Sequence, residues 1–423
     1  MSETIFAIQG GRRLSGTIAI NGAKNDALIV LAASMLTQGP CRIENVPLIE
    51  DVHRVLELMR SLGVAAGPTS RTVSLEAKDP ISSDIDEEIG KRIRASIVLT
   101  GPLLARCGRV SFPYPGGCVL GERPIDIFLK GYRAMGATVT EEAHRYVVSA
   151  KTRLLGAELF FPVVSVTATE TLMMAATLAK GRTVLKNAAM EPEVVALAEF
   201  LNICGARVSG QGTPLIVVEG IKELGGAVHR VIPDRVEAGS LALLAAATRS
   251  RLTIDACDPS HLDALWVLLQ DAGVTVKKSQ KSATIDATGE MVFTARNVTT
   301  HEYPGFATDL QAPALVFLTQ CEGTARVHET IFDGRLQWTQ DLARMGARID
   351  MADPHRVFVH GATQLRGRSI ETPDIRAGMA FVIAGLAADG RTAIHNVYQI
   401  DRGYERIAER LQAVGADIKR VTP

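Results

Sequence analysis

The segment EVVALAEFLNICGARVS, residues 193–209, carries two periodicities in one short run. Its first part repeats apolar residues at i, i+3, i+4 and i+7 and places charges between them, the pattern of a helix with one buried face. Gly205 then stands where a helix closes in the left-handed conformation that a side chain disfavours. ARVS beyond it alternates as a strand does. The same phrase recurs along the chain as LGVAAG (62–67), MGATVT (135–140), AGVTVK (272–277), MGARID (345–350) and VGADIK (414–419). Successive central glycines are 73, 69, 68, 73 and 69 residues apart, and a period that regular marks an internal repeat.

An amphipathic segment precedes each phrase, from DVHRVLELMRS (51–61) to GYERIAERLQA (403–413). Upstream of each lies a second helical segment that is apolar on nearly every face: ALIVLAASML, ASIVLTGPLLA, TLMMAATLA, SLALLAAAT, QAPALVFLTQ and GMAFVIAGLAA. A helix apolar all round is buried all round. One unit therefore reads as strand, buried helix, strand, amphipathic helix, strand, and six of them make an α/β protein in two halves of three. RVIPDRVEAG (230–239) is the crossover between halves. A second crossing near Asn21–Lys24 gives one domain of residues 24–232 and another of 1–23 plus 233–423, with TIAI (17–20) completing the C-terminal half.

Composition narrows the function. The 423 residues hold 46 basic and 46 acidic side chains, so the basic surplus of a nucleic-acid binder is missing. No run of 18 uncharged apolar residues suggests a membrane span, and the N-terminus lacks a signal-peptide layout, which points to the cytoplasm. Six scattered cysteines without a CxxC pair and nine dispersed histidines offer neither a disulfide frame nor a metal site.

The starts of the buried helices are polar: Lys24 and Asn25, Arg94, Thr167 and Thr169, Glu237, Asp309 and Arg376. A helix N-terminus already bears partial positive charge, so Lys24, Arg94 and Arg376 are disfavoured there unless an anion sits among them. Asp309 reads as an exposed acid whose removal leaves the fold intact. RVSFPYPGGCVLGERPIDIF (109–128) is too rich in proline and glycine for regular structure. It presents Cys118 near Arg123, whose charge favours the thiolate, on a loop suited to act as a lid. The other five cysteines read as buried small hydrophobes.

NGAKN (21–25), RASIVLTGPLLAR (94–106), PGGCVLGERPID (115–126), FATDLQA (306–312) and IDRGYERI (400–407) stand in an order that resembles the UDP-N-acetylglucosamine enolpyruvyl transferases of the EPSP synthase family. The resemblance runs from GGRRLSG to the C-terminus. It implies an inside-out α/β barrel of two domains, each with three repeats. It implies transfer of the enolpyruvyl group of phosphoenolpyruvate to the 3-hydroxyl of UDP-N-acetylglucosamine, the first committed step of peptidoglycan synthesis, with no metal or organic cofactor. By the same resemblance Lys24, Arg123 and Arg402 hold the donor phosphate, with Arg376 and Arg335 at its carboxylate. Cys118 is the general acid and the residue that the epoxide fosfomycin alkylates. Asp309 accepts the acceptor's proton, and Asn25 and Arg94 orient the sugar nucleotide. Asp374 supports the arginines, Ser165, Val166 and Thr167 meet the diphosphate, and Pro124, Ile125, Asp126 and Ile127 meet the uracil. Ile331 belongs to the same substrate-binding set.

Three places depart from the family pattern. Phe128 stands for the usual His, Asp333–Gly334–Arg335–Leu336 for E-N-R-F, and Glu122 for a small residue. They leave a second acceptor open, another nucleotide such as UMP. A non-catalytic nucleotide-sugar-binding relative would lack Cys118 or Asp309, and both are present.

Overall fold

The computed structural model describes residues 4–78, 81–92, 94–114 and 125–422, excepting the side chains of 91–95. Cys118, Arg123 and Pro124 lie outside the described residues, as does the side chain of Arg94. The chain forms two compact units. One is built from residues 22–232; the other takes residues from the N-terminus to 21 and from 233 onward.

In the unit of residues 22–232, the helices Lys24–Ala33, Thr100–Cys107 and Val166–Thr177 supply the middle of the hydrophobic core. Thr100–Cys107 packs closely on Val166–Thr177: a Cβ at Gly101 would lie 2.3 Å from the carbonyl oxygen of Thr171, so this crossing admits only glycine. The sheet of this unit around Arg182–Lys186 runs in the order Arg207–Ser209, Leu215–Glu219, Arg182–Lys186, Glu158–Phe160. A second sheet has Ala65–Ala66, Thr72–Glu76, Cys41–Glu44 and Val228–Arg230 in the same arrangement, and its last strand is the end of the unit. The third is three-stranded: Thr138–Glu142, Arg145–Ser149, Arg109–Pro113.

In the other unit the helices Arg235–Ala247, Gln311–Leu318 and Ile375–Ala387 pack on one another and are buried nearly throughout. Each fully buried leucine or isoleucine among them contributes about 1.5–3 kcal/mol. Ser15–Ala19 pairs in parallel with Arg251–Asp255, residue for residue from Arg251–Ser15 to Asp255–Ala19. Ile5–Gln9 lies between Arg391–His395 and Asp417–Val421, antiparallel to both. The IFAIQ strand is absent from the sequence reading, because its short apolar run has no helix beside it to mark a unit.

The elements differ from the sequence reading in two respects. The run 109–128, read as too rich in proline and glycine for regular structure, begins with the strand Arg109–Pro113 and ends in the helix Asp126–Ala134, both clear of the run's glycines. The other difference is an added strand. The amphipathic helix is followed by two strands, as in Thr275–Lys278 and Ser282–Asp286; the extra strand follows a polar turn that gives only a weak breaker signal. The glycine caps recur without exception. Gly63, Gly136, Gly205, Gly273, Gly346 and Gly415 all have φ between 87° and 108°. The N–H of the next residue bonds back five residues each time, as Val64 to Met59 and Ala416 to Leu411 (3.0 and 3.1 Å). This is the Schellman closure of a helix. Cys107 is the exception among the cysteines read as buried: it is exposed at the end of its helix, just before the left-handed Gly108, whereas Cys41, Cys204, Cys257 and Cys321 are buried.

Candidate functional site

Three polar clusters lie at helix starts. The largest is built on Thr308–Leu310, a 3-10 turn that leads into Gln311–Leu318. Asp309 there accepts from two guanidinium groups, Arg335 Nη2 to Oδ1 at 2.6 Å and Arg376 Nη2 to Oδ2 at 2.7 Å. Arg335 and Arg376 are only 4% and 9% exposed, and Asp309 25%. Asp309 is therefore not an exposed acid, contrary to the sequence reading. The charge it carries is needed to neutralise two cations that folding has taken from water. Burial by itself pushes the Asp309 carboxyl up, but the charges of Arg376 and Arg335 and their hydrogen bonds outweigh it and hold it far below the ordinary carboxylate range. Burial likewise works against charge on Arg376, and Asp309 restores it and raises that guanidinium further.

Around this pair stand residues to which the sequence reading gives no role. Thr308 Oγ1 donates to Glu329, 2.9 Å from both carboxylate oxygens, and accepts from Arg335 Nη1 at 2.8 Å. Glu329 is fully buried and also accepts from the N–H groups of Ile331 and Phe332 at 2.9 and 3.2 Å. Tyr404, from the IDRGYERI segment, accepts from Arg376 Nη1 at 3.4 Å and bonds Ser240 at 3.1 Å. The one sequence signal for Glu329 is an acid inside the β-branched run ARVHETIF. Asp374 caps the helix Ile375–Ala387, accepting from the N–H groups of Arg376 and Ala377 at 2.7 and 3.1 Å. It thus fixes Arg376 through the backbone and not through the guanidinium. Arg402 Nη1 donates to Gln399 at 3.0 Å.

The second cluster begins the helix Lys24–Ala33. Lys24 Nζ lies 2.6 Å from Asp51 Oδ2, and both side chains are largely buried. Asn25 beside it is half-buried. Asp26, one residue on, is fully buried; its Oδ2 accepts from Ile232 N–H at 2.8 Å and faces His229 Nε2 at 3.4 Å. The third cluster opens the helix Val166–Thr177. Ser165 caps it by accepting from Ala168 N–H at 3.3 Å. Val166 and Thr167 occupy the first turn, ahead of the Thr169-to-Ser165 backbone bond of 2.9 Å, where N–H groups have no acceptor within the helix. Ile125 and Phe128 pack into the core, Ile127 is half-buried, and Asp126 is exposed. Ile331 is half-buried, its N–H spent on Glu329.

The cations at helix starts thus meet protein carboxylates: Arg376 meets Asp309, and Lys24 meets Asp51. Among the described residues there is no grouping of His, Cys, Asp and Glu fit to hold a metal, and no helix long and apolar enough to cross a membrane.

Residues 8–411 match the family model described as EPSP synthase (3-phosphoshikimate 1-carboxyvinyltransferase). The chain is 44% identical to the UDP-N-acetylglucosamine 1-carboxyvinyltransferase of Solibacter usitatus (strain Ellin6076), over 98% of this chain and 99% of that protein. It is 41% identical to the protein of that name from Chelativorans sp. (strain BNC1), again over 98% and 99%. Its fold is similar to that of the enolpyruvyl transferase NikO from Streptomyces tendae, with a TM-score of 0.89, 22% identity and full coverage of both chains. EPSP synthase from Acinetobacter baumannii gives a TM-score of 0.73 at 19% identity, over 99% of this chain and 100% of that one. On the span of the family model and the full-length identity to these relatives, the chain belongs to the EPSP synthase family.

Proposed function

We propose that this chain transfers the enolpyruvyl group of phosphoenolpyruvate to the 3-hydroxyl of UDP-N-acetylglucosamine and releases phosphate. The observation that carries the reading is the 41–44% identity, along nearly the whole chain, to relatives named for that activity. The chemistry of the described residues supports it. A donor that bears a carboxylate and a phosphate calls for guanidinium and ammonium groups held in place, and Arg335, Arg376 and Lys24 are each held by a carboxylate.

In this reading, protonation at C3 of the donor by Cys118 develops oxocarbenium character at C2. The acceptor hydroxyl attacks C2 while Asp309 takes its proton. The tetrahedral ketal then returns a C3 proton to the Cys118 thiolate as the C2–O bond to phosphate breaks, which restores the C2–C3 double bond and releases phosphate. Lys24, Arg123 and Arg402 hold the phosphate and stabilise its charge, and Arg335 and Arg376 hold the carboxylate. Asp309 becomes a usable base once a donor carboxylate draws one of its two arginines away, since the loss of a neighbouring cation raises a carboxylate's pKa. Asn25 and Arg94 orient the sugar; Ser165, Val166 and Thr167 face the diphosphate; Pro124, Ile125, Asp126, Ile127 and Ile331 complete the acceptor site, with Asp374 holding Arg376 in place. The architecture we assign is the inside-out α/β barrel of six repeats, divided into residues 24–232 and residues 1–23 with 233–423. The reaction belongs to the cytoplasm.

The test is phosphate release from phosphoenolpyruvate with UDP-N-acetylglucosamine, run with and without prior treatment with fosfomycin. Release that requires the sugar nucleotide, stops after fosfomycin and resists fosfomycin in Cys118→Asp carries the reading. Release with UMP and none with UDP-N-acetylglucosamine would move the chain to another acceptor.

A further inference from the structure

We propose that Glu329 is a positioning residue of the transferase site, acting through the hydroxyl of Thr308 to hold Arg335 against Asp309. The kinetic part of this inference rests on the transferase reading; the geometry does not. A threonine hydroxyl has one proton and two lone pairs. Two carboxylate oxygens of Glu329 stand 2.9 Å from Thr308 Oγ1 on one side, and Arg335 Nη1 stands 2.8 Å away on the other. A guanidinium accepts nothing, so the proton goes to Glu329 and the lone pairs face Arg335. Glu329 thereby sets the polarity of the hydroxyl, and the hydroxyl steers one nitrogen of Arg335 while the other meets Asp309 at 2.6 Å.

Glu329 is well placed to do this. It is fully buried, and its Oε1 is fixed by the N–H groups of Ile331 and Phe332. Those two bonds also fold the loop that carries Arg335 back toward Thr308. The ring of Phe332 lies 5.1 Å beneath the Arg335 guanidinium. The charged groups that touch Asp309 itself are Arg335, from this loop, and Arg376, from the helix Ile375–Ala387; Tyr404 and Asp234 in turn face Arg376. In Glu329→Gln the oxygen stays with the two backbone N–H groups. The amide then turns a donor toward Thr308 in place of an accepting oxygen, so the hydroxyl proton is no longer fixed away from Arg335.

The experiment compares Glu329→Gln, Thr308→Val and Thr308→Ser with the full-length parent in two ways. The first is kcat for phosphate release against pH, because Asp309 serves as a base only with donor bound. Glu329→Gln and Thr308→Val should lose at least about tenfold, and their acid limb should move to higher pH, because an Asp309 less firmly held by Arg335 binds its proton more readily. Thr308→Ser, which keeps the hydroxyl, should restore the parent profile. The second needs no turnover: a thermal-melting cycle of Thr308→Val and of Glu329→Gln, each with Asp309→Asn. Positioning requires the double variants to fall less than the sum of the single falls. Additive falls and an unmoved acid limb would overturn the proposal and leave Glu329 a fastener of its loop. If Glu329→Gln does not fold, the valine and serine variants decide alone. If the parent releases no phosphate with any acceptor, the functional reading fails and the melting cycle still answers the question of positioning.

Discussion

Replacing Asp309 by alanine leaves Arg335 and Arg376 facing each other at 4% and 9% exposure with their shared counter-charge gone. Removing one partner of a buried ion pair costs about 3–5 kcal/mol, because the remaining charge is desolvated without compensation. For a unit of this size that corresponds to a fall of roughly 6–20 °C in melting temperature. Asp309→Asn keeps the shape and loses the charge, so it should fall almost as far at pH 7. The effect also has a pH signature. The folded protein holds the Asp309 carboxyl far below its usual range, so the unfolded chain, with a value near 3.9, takes up the proton first. The stability from Asp309 is thus fully present above about pH 5 and fades as the pH falls through 4 and below. The gap between the parent and Asp309→Asn should be constant from pH 8 to 5 and narrow toward pH 3, read by thermal or urea melting at each pH. Turnover per folded molecule should drop by at least about 10²-fold in either variant. Equal melting temperatures for parent and Asp309→Asn at pH 7 would refute the ion-pair reasoning.

Two further outcomes test other parts of the structure. Gly415 has φ 101°, and a methyl group added there would meet no atom within 4 Å, so Gly415→Ala should cost only the left-handed strain of about 1–2 kcal/mol; Gly220→Ala, whose Cβ would sit 1.9 Å from the Ala179 carbonyl oxygen, should cost more in the same melting assay. Glu170 is buried, and burial first, then the charges of Glu193, Glu191 and Asp26, push its carboxyl well above the usual range. The folded state therefore keeps a proton that the unfolded chain releases above about pH 4, so stability declines as pH rises past that point. Glu170→Gln should raise the melting temperature at pH 8 and gain little at pH 4; a gain that is the same at both would refute the assignment.

Local chemistry explains what was legible in the sequence. A helix that must end and hand over to a strand takes a glycine, and the six Schellman closures are that demand made visible. Apolar helices with no polar face, such as SLALLAAAT, have nowhere to go but a core, and they are in one. What the sequence hides is pairing at a distance. Ile5–Gln9 becomes a strand because Asp417–Val421 and Arg391–His395 offer edges some 400 residues along the chain. Cys107 has the composition of a core residue and an exposed position, because the helix Thr100–Cys107 ends there. Glu329 gives no motif because it meets a hydroxyl from FATDLQA and two backbone N–H groups of its own loop, and a backbone N–H leaves no mark in the sequence.

Two of the three cations read at helix starts, Arg376 and Lys24, meet an anion, and that anion belongs to the protein. A cation at a helix N-terminus demands an anion, and the fold meets that demand with Asp309 for Arg376 and with Asp51 for Lys24. An internal carboxylate has a consequence that a solvent anion lacks. It holds each cation in one rotamer, so the guanidinium and ammonium groups are oriented at no further entropic cost when a phosphate or carboxylate competes for them. Arg335 makes the point most clearly. Its Nη1 and Nη2 are engaged by Thr308 and Asp309, while its buried Nε has no partner among the described residues. A donor buried without an acceptor costs about 1–3 kcal/mol, a cost that the transferase reading has a substrate oxygen offset. In the transferase reading, the affinity for the donor and the basicity of Asp309 are therefore one property: each hydrogen bond that a donor carboxylate takes from Arg335 or Arg376 is one that no longer suppresses the base.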